Sequence, residues 1–192
     1  MQNHSEIAEF LWKIADLIKD DYDAKDYEDV ILPFTLLRRL DCVLRPTRQV
    51  VHEDAEKYKA IPPDTRNLLL TKAARQNFYN TSEYSLDELI KRPNDLVQNF
   101  SAYLAGFSAN VKDILYNFSG GEEKGLSPIY ETLARKRLLF KVTQAFTEVD
   151  LSPEAVDNHG MGTIFEYLIR KFKEASNEAA GQFYTPRDII RL

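Results

Sequence analysis

The sequence predicts an all-α protein, and three observations carry that prediction. Only seven Gly and eight Pro occur in 192 residues, which favours long continuous elements with few turns. Apolar residues recur at helical spacing of about 3.6 along most of the chain, and the alternating apolar and polar runs that mark half-buried strands are lacking. The hydrophobic share of 44% with 29% charged residues belongs to a globular protein able to bury a core.

The first helix is predicted from about Ser5, with Glu6 and Glu9 in its opening turn and Ile7, Phe10, Leu11, Ile14, Leu17 and Ile18 on its apolar side. An acidic stretch follows, Asp20, Asp21, Asp23, Asp26, Glu28 and Asp29. It leads into a segment interrupted by Pro33, which removes a backbone donor and crowds the preceding turn. One helix from about Asp26 to Leu44 running through the proline is preferred to a restart, because Val30, Phe34, Leu37, Leu40 and Leu44 share a face on both sides of it.

Pro46 and Thr47 open a short helix that reaches Lys59, and Pro62-Pro63-Asp64 ends it. Residues 64–84 are ambiguous, with Leu68-Leu69-Leu70 their one apolar run. Ser85 followed by Glu88 is a capping-box pattern and predicts a helix start. Pro93-Asn94-Asp95 starts another, carrying Leu96, Phe100, Tyr103, Leu104 and Phe107, and Ser108 to Asn110 breaks it before Val111, Ile114, Leu115 and Phe118. The loop Ser119 to Gly125 precedes a helix expected near Pro128 to Phe146, then a turn at Asp150-Leu151-Ser152-Pro153. A last long helix is expected over about Met161 to Ala179, with Ile164, Phe165, Leu168, Ile169 and Phe172 on its apolar face.

Charge and cysteine content narrow the function classes. A net charge of −5 gives the domain no overall basic footprint for nucleic acid. Contact with DNA or a partner then falls to local clusters: Arg38 and Arg39 with Arg45 and Arg48, and Arg135, Lys136 and Arg137 with Lys141. A solvated helix face is the competing account of each. Cys42 alone offers no disulfide, and His4, His52 and His159 follow no ligand spacing, so no metal site and no catalytic residue is assigned. The first residues carry no basic region leading into an apolar one, and no run of about 18 apolar residues occurs, so a cytoplasmic protein without a membrane span is expected. Lys124 is followed by Gly125 where a phosphate loop needs Ser or Thr, and Gly160-Met161-Gly162 reads as a helix start.

The tail Gly181-Gln182-Phe183-Tyr184-Thr185-Pro186-Arg187-Asp188 is the most informative segment. Thr185 as N-cap, Pro186 at the first helical position and Asp188 three residues after the cap predict a helix start whose free N–H groups favour an anion. GQFYTPRDIIRL, at 181–192, resembles the stretch that opens the methyltransferase core of modification subunits in type I restriction–modification systems. Met161 to Ile169 resembles the glycine, aromatic, Glu-Tyr-Leu helix of that family, and Phe10 to Asp16 and Ile31 to Leu40 resemble its first helices.

That resemblance implies a helical domain over 1–150, and over 151–192 a connecting helix with the first elements of a truncated α/β methyltransferase domain. It implies adenine methylation of DNA with S-adenosylmethionine in the full-length protein, with Phe183, Tyr184, Thr185 and Pro186 in the cofactor pocket by position. The implied partners are a DNA specificity subunit, a second modification subunit, a restriction subunit and duplex DNA reached through the complex. The glycine-rich cofactor loop and the Asn-Pro-Pro-aromatic motif of the family do not occur before Leu192, so the 192 residues alone are expected to be inactive. A stand-alone helical adaptor is the alternative, and an independent DNA-binding domain is disfavoured by the charge.

Overall fold

The computed structural model describes residues 4–117 and 126–179, and these contain helices and turns with a single isolated bridge in place of any strand. The loop expected at 119–125 and the tail from 181 onward lie outside the described residues. α1 (His4–Lys13) buries Ile7, Ala8 and Leu11 and tightens into a 3-10 turn, Ile14–Leu17. α2 (Tyr27–Leu44) runs through Pro33 as the pattern on both sides of it predicts. It is the central element: Phe34 stacks against Phe100 at 5.7 Å and Phe146 at 5.5 Å between ring centres.

A 3-10 turn, Arg45–Thr47, leads to α3 (Arg48–Lys57), and α4 (Pro63–Ala74) packs beside it. Residues 64–74, part of the stretch 64–84 that is ambiguous as sequence, are thus helical, in a helix opening on Pro63, which needs no amide donor there. α5 (Leu86–Leu89) begins as the capping box predicts, the Glu88 amide donating to Ser85 Oγ at 3.0 Å. α6 (Leu96–Ala105) follows a 3-10 turn, Pro93–Asp95, and α7 (Ala109–Asn117) follows the expected break. The bridge pairs Asn80 with Phe107. Beside it Gly106 lies so close that a Cβ there would meet Asn80 Oδ1 at 2.2 Å, so only glycine lets the two segments approach.

The single helix expected near 128–146 is two, α8 (Leu126–Arg135) and α9 (Leu139–Thr147). Arg137 adopts the left-handed conformation with φ 61°. The Leu138 amide reaches back to Leu133 O at 2.8 Å and the Arg137 amide to Ala134 O at 3.0 Å, the pairing of a Schellman stop with arginine where glycine is usual. Leu138 and Leu133 are both buried and supply the apolar contact that accompanies such a stop.

The last helix, α10 (Asn158–Ala179), starts three residues earlier than expected and takes Gly160 and Gly162 into its first turns. It lies along α1 with the chains running the same way, Gly160 against His4, Tyr167 OH donating to Glu9, and Trp12 5.2 Å from Phe172. Ile164, Leu168 and Phe172 join the same core as α1 and α2. Among the described residues no helix is long and apolar enough to cross a membrane.

Candidate functional site

Of the residues that the sequence singles out, Phe183, Tyr184, Thr185 and Pro186 lie outside the described residues. The basic ones are all described, and the structure divides them into two groups. Arg38 and Arg39 point inward from α2. Their exposures are 2% and 8%, so neither the contact role nor the solvated face expected from the sequence fits their geometry.

The physical reason is that their donors are used inside the fold. Arg38 Nε donates to Val149 O and its Nη2 to Thr147 O, both at 2.8 Å. Its Nη1 faces Asp41 Oδ2 at 3.4 Å and Asp87 Oδ2 at 3.2 Å. Arg39 Nη1 donates to Leu151 O at 2.6 Å and Val156 O at 2.7 Å, and its Nη2 to Asn158 Oδ1 at 3.1 Å. Burial pulls the Arg39 guanidinium below its ordinary value, while Cys42, Glu154 and Asp157 act the other way. A buried guanidinium is tolerable only when its N–H groups are met in this manner.

Sequence reasoning missed the anion at the centre of this arrangement. Asp41 is fully buried, and its Oδ1 accepts from Arg48 Nη2 at 2.7 Å, Tyr103 OH at 3.0 Å and the Leu86 amide at 3.3 Å. Burial still pushes its carboxyl above the usual range, with Arg48, Tyr103 and Arg38 pulling it back. The available signal was an aspartate between Leu40 and Cys42 on a helix rich in apolar residues from Val30 to Leu44, three residues after Arg38 and seven before Arg48. Arg45 joins from the rim, 3.6 Å from Asp87.

Arg135, Lys136 and Arg137 are exposed at the turn between α8 and α9, and Lys141 is exposed one turn into α9. Lys136 is engaged: its Nζ donates to Asp21 O at 2.8 Å and lies 5.1 Å from the Tyr22 ring centre. It shares a recess with Lys19, Asp20, Asp21, Asp23 and Asp26, so nearby carboxylates offset its charge. Among the described residues Arg135 bonds to Thr132 Oγ1, and Arg137 and Lys141 have no ion-pair partner. Lys141 and Lys13 line one groove together with Phe10, Ile14, Leu17, Gln144, Ala145 and one carboxylate, Glu148. The surface can therefore offer Arg135, Arg137, Lys141 and Lys13 to an anionic partner. No group of three His, Cys, Asp or Glu that could hold a metal occurs among the described residues.

Residues 7–146 match the family described as HsdM N-terminal domain, and residues 156–192 match the family described as N-6 DNA Methylase. A curated relative, the type I restriction enzyme MjaIX methylase subunit of Methanocaldococcus jannaschii, is 24% identical over 206 residues, covering 95% of this chain and 33% of the relative. The chain thus spans about a third of that relative's length.

Proposed function

The chain belongs to the HsdM N-terminal domain family, and from that premise we propose that its helical part helps a type I modification subunit assemble and close on DNA. In this reading the whole subunit methylates adenine in DNA using S-adenosylmethionine. It works with a DNA specificity subunit, a second modification subunit and, for cleavage, a restriction subunit. When bound, the cofactor supplies the methyl group; Phe183, Tyr184, Thr185 and Pro186 are the residues that the family resemblance would place beside it. The helical domain spans 1–150 in this reading, and 151–192 begins the methyltransferase domain. A stand-alone adaptor is the weaker account, because residues 156–192 match a methylase family.

The observation that carries the DNA-facing role is the contrast in arginine use: Arg38 and Arg39 are consumed inside the fold, whereas Arg135, Arg137 and Lys141 remain exposed. Phosphate neutralisation by such side chains is sequence-independent and weakens with salt. The chain is expected to bind duplex DNA weakly, with Kd of about 10⁻⁴–10⁻⁶ M, and without sequence preference. Replacing Arg135, Arg137 and Lys141 together by Gln is expected to reduce the slope of log K against log salt by about 2–3. An unchanged slope in a salt titration followed by fluorescence anisotropy contradicts the role given to this turn.

A further inference from the structure

All three acceptors that Arg39 uses, and both backbone acceptors that Arg38 uses, fall between residues 147 and 158. The same interval is the seam between the two family matches, 7–146 and 156–192. A stretch joining two domains is by default exposed, polar and crossed by few contacts, which makes it a hinge. This one exposes Glu148, Asp150, Glu154, Asp157 and Asn158 but is anchored at three apolar points between them. Leu151 and Val156 are fully buried, and Val149 is nearly so. Its own turns are closed by the Val156 amide on Ser152 O at 2.9 Å and the Gly160 amide on Asp157 Oδ1 at 2.7 Å.

The geometry points to Arg38 and Arg39 as positioning residues that make 147–158 a fixed joint, so that the helical domain carries α10, the helix opening the methylase region, as one body. The inference rests on reading 156–192 as the start of that region. Arginine suits the task because one planar fork engages two carbonyls of the seam and an amide oxygen of α10 together. A lysine ammonium is a point charge on a flexible stem and cannot span the three acceptors. Pulling the seam away would strand a buried cation, so opening there is disfavoured. The far side is fixed independently by Trp12 against Phe172 and by Tyr167 on Glu9. In this proposal the helical domain and α10 move together.

Amide hydrogen exchange on the 192-residue chain tests the joint. In the wild type, the amides of Val156, Met161 and the α10 residues Ile164 to Leu168 are expected to be protected to the level of α2. Arg39→Lys is expected to speed exchange in 149–168 by at least about tenfold while Phe100 and Tyr103 keep their protection. Asn158→Ala, at an exposed position, removes a single acceptor and is expected to act on the same segment more weakly; it decides the matter should Arg39→Lys not fold. A seam as unprotected as free peptide in the wild type, or a loss spread evenly over all helices in both variants, overturns the joint.

In the longer subunit with its partners, Arg39→Lys is expected to lower kcat for methyl transfer and leave KM for S-adenosylmethionine unchanged. An unchanged kcat beside the local exchange effect overturns the positioning role. Absence of methyl transfer from the wild-type complex would overturn the proposed function instead, and exchange alone would then judge the joint.

Discussion

Two runs of basic residues that look alike as sequence, Arg38-Arg39 and Arg135-Lys136-Arg137, end in opposite surroundings. The first lies in a helix with twelve of its eighteen residues buried, so its arginines have almost no watered side to occupy. The second lies where one helix stops and another starts, and its side chains leave the core at the turn. Charge alone did not decide between them. What decided was whether the fold brought acceptors to the guanidinium, and those acceptors lie 109 to 119 residues away along the chain.

The contrast is sharpest at Asp41. Replacing it by Ala removes the carboxylate that Arg38 and Arg48 share and leaves the Tyr103 hydroxyl and the Leu86 amide without their acceptor. Breaking a buried ion pair from one side typically costs about 3–5 kcal/mol. Asp41→Ala is expected to fall in that range by urea denaturation, whereas Arg135→Gln is expected to stay within about 0.5 kcal/mol of wild type. A loss below about 1 kcal/mol for Asp41→Ala would mean that the two regions are energetically alike.

Tyr103→Phe probes the same network more gently. It deletes one hydrogen bond to a charged group, worth about 1.5–3 kcal/mol. It also carries a pH signature. Burial, and next the charge of Asp41, push the Tyr103 phenol well above its ordinary value of 10.0. The folded state therefore keeps a proton that the unfolded chain gives up above about pH 10. This stabilisation is fully present below that pH and is lost as pH rises further. Tyr22, Tyr27 and Tyr167 are shifted the same way, so Tyr103→Phe is expected to flatten, without abolishing, the fall in stability between about pH 9.5 and 11. Parallel curves for variant and wild type would remove Tyr103 from the account.

Local signals in the sequence were reliable where the structure is local. Ser85 and Glu88 announced a cap that the structure makes, and the shared face of Val30, Phe34 and Leu37 carried a helix through Pro33. Helical spacing gave the fold class and much of the core, including Phe100, Tyr103, Leu168 and Phe172. The misreadings have two causes, local signals too weak to mark an element and acceptors too distant along the chain to be seen. α4 has little amphipathic pattern and is held beside α3, where Arg66 donates to Ala55 O at 3.0 Å. Nothing near Arg137 marks a helix stop, because the stop is closed by Leu138 burying against Leu133 and not by a glycine. The inward turn of Arg38 and Arg39 depends on a seam more than a hundred residues distant.

Arg137 allows the smallest and cleanest separation of the two regions. Its φ of 61° is a conformation that costs an L-residue about 1–2 kcal/mol and glycine nothing. Glycine gives back part of that gain through the greater freedom of the unfolded chain, about 0.5–1 kcal/mol. Arg137→Gly is therefore expected to stabilise the fold by about 0.5–1 kcal/mol while lowering the salt slope of DNA binding by about one phosphate contact. Opposite signs for stability and binding are what an exposed contact residue on a strained backbone must produce. At Arg39 no substitution can separate them, because the side chain is itself part of the packing. Denaturation and a salt titration on the same protein check both halves: if Arg137→Gly instead loses more than about 1 kcal/mol, the side chain holds the turn together, and the exposed run is structural in the way that the buried pair is.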